Sequence, residues 1–80
     1  MSVVPAAKQT LAILRYLSAQ ASPTPAAAIS RSLSLPRSTT YHLLQTLMAS
    51  GFVAHYPDQR LYGLGLAAYE LGSGYVRHSC

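Results

Sequence analysis

The densest run of side chains able to hold a charged or hydrogen-bonding partner is Arg37-Ser38-Thr39-Thr40-Tyr41-His42-Leu43-Leu44-Gln45. It offers a guanidinium, several hydroxyls, an imidazole and a carboxamide, and it contains no acid. Arg pairs bidentately with a guanine edge or clamps a phosphate, Gln matches the N6 and N7 edge of adenine, and Ser and Thr donate to phosphate oxygens. At helical spacing Arg37, Ser38, Tyr41, His42 and Gln45 share a face. Arg37, Ser38 and Thr39 also stand at the helix start, where free N–H groups favour an anion. Thr39 has a second reading, as a plain helix-start hydrogen bonder. Arg31, upstream, and Arg60, in a later turn, add cations able to reach a phosphate backbone or a minor groove. Lys8 and Arg15 have no clear target and read as solubility charges.

Other chemistries find no constellation. His42, His55 and His78 form no pair with ligand spacing, and no cysteine or carboxylate cluster stands beside them, so no metal site is predicted. Asp58 and Glu70 are the only two acids in 80 residues. The serines therefore lack acid-and-base companions, and the chain reads as neither an enzyme nor a cofactor carrier. Six Lys and Arg against those acids give a formal charge of +4, which attracts nucleic acid or an anionic membrane. No stretch approaches the roughly 20 apolar residues of a membrane span. Arg15 cuts the apolar run from Leu11 to Leu14 well short of a signal core. A lone Cys80 forms no internal disulfide. A soluble protein of the reducing cytoplasm is the expectation.

The elements that position the polar run follow from periodicity and proline. Residues 6–20 read as an amphipathic helix with Leu11, Leu14 and Leu17 in its stripe and Ala12 and Ile13 beside them. Pro23 and Pro25 break the pattern. Thr24 is placed to cap a second helix over 25–33, with Pro25 at its first position and Ile29 and Leu33 turned inward. Ser34-Leu35-Pro36 makes a short turn. The third helix, over 37–50, then buries Thr40, Leu43, Leu44, Leu47 and Met48, and Gly51 sits where a left-handed stop belongs. Segments 52–56 and 61–64 read as strands around the turn Pro57-Asp58-Gln59-Arg60. From Leu66 to Tyr75 or beyond runs a last helix, weakened by Gly72 and Gly74 and expected to fray or depend on a partner. The fold class is mainly α with a small β-hairpin (α+β). It is a winged helix-turn-helix of three helices and a two-stranded wing over residues 1–65, followed by a linker helix over 66–80.

The run from Ile29 to Leu47, containing Leu33-Ser34-Leu35-Pro36-Arg37-Ser38-Thr39, resembles the helix-turn-helix of IclR-type regulators. The likeness continues through Gly51-Phe52-Val53, Pro57-Asp58, Tyr62-Gly63-Leu64-Gly65 and Glu70-Leu71-Gly72, and so covers about residues 8–72. The chain departs from the family pattern at Ser34, where glycine is usual, and at Ala28, where an acid is common. Tyr41 and His42 stand where His and Arg are frequent, and Gly63 where the wing often has a basic residue. The resemblance implies sequence-specific duplex DNA binding in a transcription regulator. The third helix would enter the major groove and the hairpin would flank it on the backbone or minor groove. It also implies a separate C-terminal domain that binds a small-molecule effector, for which this chain has no length.

Assembly is the remaining expectation. Leu11, Ile13, Leu14, Leu17, Leu66, Tyr69 and Leu71 exceed what so small a core absorbs, and one short helix contacts few base pairs. A homodimer through the first helix and the linker helix, on a near-palindromic operator, answers both points. The rival reading is a winged helix used for protein–protein contact without DNA binding, its polar face only solvated.

Overall fold

A computed structural model describes residues 2–79, and Cys80 lies outside them. Helix α1 spans Pro5–Ala19, and its proline falls at the helix start, where a missing N–H costs nothing. The residues it buries are Ile13 and Leu17, 0% and 6% exposed, whereas Leu11 is 60% exposed. Successive residues turn by about 100°, so two three-residue steps carry Leu11 roughly 120° away from Leu17. The pair spaced by four, Ile13 and Leu17, stays on one face and takes the core. Neither is therefore available to a partner, contrary to the expected dimer stripe; Leu14 is half-buried.

Helix α2 is Ala26–Leu33, one residue shorter than expected, with Pro25 as its extended N-cap and no side-chain cap. Thr24 does not cap. Its N–H donates to the Tyr62 carbonyl and its own carbonyl accepts from the Tyr62 N–H, both at 2.8 Å. A residue before proline is pushed toward extended backbone, and here that geometry serves a sheet. The helix stops at Ser34, which adopts the left-handed conformation at φ 55°. Non-glycine residues enter that region at a cost of about 1–2 kcal/mol. Closure of the helix end offsets it: Leu35 N–H reaches the Ser30 carbonyl at 2.9 Å, and the Ser30 hydroxyl donates to the Leu35 carbonyl at 2.6 Å.

Helix α3, Arg37–Ala49, begins after Pro36 and buries Thr40, Leu44 and Leu47. The Thr40 hydroxyl returns to the Pro36 carbonyl at 3.0 Å, which allows a polar residue at 0% exposure. Leu43 and Met48 are only half-buried, so the inward face is narrower than the sequence suggests. Gly51, at φ 80°, closes the helix. Phe52 N–H bonds to the Leu47 carbonyl and Gly51 N–H to that of Met48, the paired bonds of a Schellman motif.

Strands β1 (Val53–Tyr56) and β2 (Leu61–Leu64) form the antiparallel wing, pairing Val53 with Leu64 and His55 with Tyr62. The bridge from Thr24 to Tyr62 adds a third edge, so β2 is flanked on both sides. The core joins Ile13 and Leu17 to Ala26, Ile29, Leu44, Leu47, Val53 and Tyr62.

Gly65 then turns the chain against the end of α3: its N–H donates to the Phe52 carbonyl at 2.8 Å. Helix α4 follows over Leu66–Ser79 without a break at Gly72 or Gly74, where fraying was expected. Glycine weakens a helix but keeps its backbone donor, so two of them do not terminate it. Helix α4 buries none of its residues.

Candidate nucleic-acid interface

Because Thr40, Leu44 and Leu47 are held in the core, the opposite half of α3 is presented outward. Arg37, Ser38, Tyr41, His42 and Gln45 are all exposed. At about 100° per residue, Ser38 and Gln45 lie near the middle of this face, with Arg37 and Tyr41 on one flank and His42 on the other. Thr39 is half-buried and turned away toward the core boundary, so the structure separates it from the other five. Thr46 joins the face instead: it is exposed, and its hydroxyl donates to the His42 carbonyl at 3.2 Å. Its spacing of four from His42 was the signal for it in the sequence.

The start of α3 is electropositive by construction. No side chain caps it and its first turn has no acid. The N–H of Thr40 is the first to be taken up, by the Pro36 carbonyl at 3.0 Å. The N–H groups of the first three residues have no acceptor within the helix, in keeping with any helix start. With Arg37 at that end, the local field favours an anion.

The wing supplies a second surface. Arg60 stands exposed at its tip in left-handed backbone at φ 57°, its N–H on the Pro57 carbonyl at 3.2 Å. Behind the tip, the His55 and Tyr62 rings stack with centroids 4.5 Å apart and planes 13° from parallel. Burial pushes the Tyr62 phenol above its ordinary pKa, and the nearby Tyr41 phenol adds to the shift. Strand β1 of the wing packs against α3. Arg31 is exposed in the last turn of α2. Among the described residues no group of three His, Cys, Asp or Glu is placed to hold a metal, and no helix is long and apolar enough to cross a membrane.

Comparison with known proteins places this geometry. The HTH-type transcriptional repressor AllR of Salmonella typhimurium is 39% identical over 75 residues, which cover 91% of this chain and 27% of that repressor. An IclR transcriptional regulator from Alicyclobacillus acidocaldarius superposes with a TM-score of 0.85 at 27% identity, over 90% of this chain and 29% of the other. HmgR of Pseudomonas aeruginosa superposes at 0.81 with 28% identity, over 89% of this chain and 29% of that one. The chain therefore spans little more than a quarter of the length of these relatives. The IclR helix-turn-helix domain matches residues 6–57, and the chain, a winged helix-turn-helix by its own geometry, belongs to that family.

Proposed function

We propose that this chain is the sequence-specific DNA-binding head of a transcription regulator. Helix α3 lies in the major groove and the β1–β2 wing lies on the flanking backbone or minor groove. The observation that carries the reading is the outward half of α3: exposed, free of acids, rich in donors, and fixed by the burial of Thr40, Leu44 and Leu47. On this reading Arg37 and Gln45 are base readers or phosphate holders, and Ser38 meets the backbone at the helix start. Tyr41 and His42 flank the base edges, Thr39 lends its backbone N–H, and Arg31 and Arg60 hold phosphates on either side. The low acid content and net charge of +4 favour this over a protein-contact module, whose surface has no need to exclude acids. AllR of Salmonella typhimurium is named a transcriptional repressor, and the same role on a cytoplasmic chromosome fits this head.

The test is selection of sites from a random duplex library, followed by Arg37→Ala and Gln45→Ala. Both side chains are exposed, so the fold is expected to survive. A base contact costs about 1–3 kcal/mol at one base pair; a phosphate contact weakens every duplex alike and lowers the salt slope by about one. Unchanged affinity for all duplexes in both variants sinks the assignment and favours the protein-contact reading.

We further propose that two copies bind together on a near-palindromic operator, with the effector acting through a domain beyond this chain. Leu66, Tyr69, Leu71, Tyr75 and Val76 of α4, with Leu11 of α1, are each at least 60% exposed. Leu66, Tyr69 and Val76 fall on one side of α4 and Leu71 and Tyr75 on the other, so each side offers an apolar surface that a dimer of linker helices would cover. A two-fold arrangement sets the recognition helices roughly 34–36 Å apart. Sedimentation over a wide concentration range is expected to show association that strengthens with a palindromic duplex. A strict monomer that holds a half-site as tightly as the full palindrome would rule this out.

A further inference from the structure

On the side of the wing that faces the helices, buried Val53 is followed by half-buried His55, just before the tip. His55 lies on the ring of Tyr62, and Tyr62 is a fixed platform. It is 8% exposed, and both its backbone groups are bonded to Thr24 at 2.8 Å. Since those groups point toward Thr24, His55 and Tyr62 form the non-hydrogen-bonded kind of antiparallel pair, in which side chains approach most closely. Strand β1, which carries His55, packs against α3. The edge of the imidazole is uncommitted. Its nitrogens make no hydrogen bond among the described residues, and no buried side-chain nitrogen or oxygen there lacks a partner, so they face water.

We propose that His55 is a further backbone contact of this interface, donating an imidazole N–H to a phosphate oxygen of the strand that passes between α3 and the wing tip. The proposal rests on the DNA reading above and adds to it a residue outside the helix-turn-helix. An imidazole carries at least one N–H donor in either charge state. Stacking on a buried ring leaves that donor little freedom to lose on binding. A contact of this kind positions the duplex without reading its sequence. A merely structural role for the ring predicts no sensitivity to the phosphate.

The experiment compares the parent with His55→Phe, which keeps a stacking ring and removes the donor. Both are titrated with the selected duplex, with a scrambled one, and with copies of the selected duplex carrying a neutral methylphosphonate at one backbone position each. H55F is expected to melt like the parent and to bind both unmodified duplexes about tenfold more weakly, the size of one hydrogen bond to a charged acceptor. At one methylphosphonate position the parent loses affinity and H55F loses none. Imidazole nitrogen NMR of the unmutated protein answers the same question should H55F fail to fold. One His55 nitrogen shifts with the unmodified duplex and not with the duplex methylated at that phosphate. Equal affinity of parent and H55F, a loss confined to one base pair, or identical responses at every methylphosphonate each overturn the proposal. A parent that binds no duplex overturns the DNA reading itself, a result distinct from parent and variant binding alike.

Discussion

Gly65→Ala is expected to cost about 3 kcal/mol or more, because the added Cβ would lie 2.3 Å from the Gly51 carbonyl oxygen and 3.0 Å from its carbon. The obstacle is backbone, not the end of a flexible side chain, and the backbone in question is itself pinned. Gly51 closes α3 in left-handed conformation, and its carbonyl accepts the Ala67 N–H at 3.1 Å. Relief therefore requires either the last turn of α3 or the first turn of α4 to move, and the bond from Gly65 to Phe52 goes with it. Thermal or urea melts check this directly. The control is Gly72→Ala, where an added Cβ meets nothing within 4 Å and a helix former replaces glycine in α4. A G65A variant as stable as the parent would mean that the corner is looser than these distances.

Leu44→Ala is expected to cost about 2–5 kcal/mol, the range for removing a buried leucine side chain and leaving a cavity. A chain of this size has a total stability of roughly 4–12 kcal/mol, so the variant approaches global unfolding. Leu44 is 1% exposed and lies within the core. Its loss should abolish DNA binding through the fold and not through any contact. Leu43→Ala, on the half-buried flank, is expected to cost clearly less. Equal melting shifts for the two leucines would show that α3 is rotated from the position described.

The elements of this fold were legible because each is punctuated by a residue with a backbone reason: Pro36 before α3, Gly51 after it, and a turn composition at 57–60. The polar half of α3 was legible for the same reason, since five of its side chains recur at helical spacing. What the sequence concealed depends on pairing across the chain. Thr24 looks like a cap because it precedes proline and a helix. Only Tyr62, far along the chain, makes it a strand edge. The α1 stripe was misread because leucines at spacings of three look regular, while the rotation they accumulate takes Leu11 out of the core. Likewise His55 has no local signal. Its stacking on Tyr62 follows from strand register, and strand register is a tertiary outcome.

Thr24 also limits where the wing can adapt. A lone two-stranded hairpin is marginal in water and would be free to swing as a unit. Here the two backbone bonds between Thr24 and Tyr62 tie the outer edge of β2 to the entrance of α2. Motion of large amplitude is then left to the turn at 57–60, beyond the last paired residues. Such loop motions run on nanosecond to microsecond timescales. On the proposed DNA reading, the tip carrying Arg60 would adjust to grooves of different width, while the spacing between the base of the wing and α3 would act as a fixed calliper.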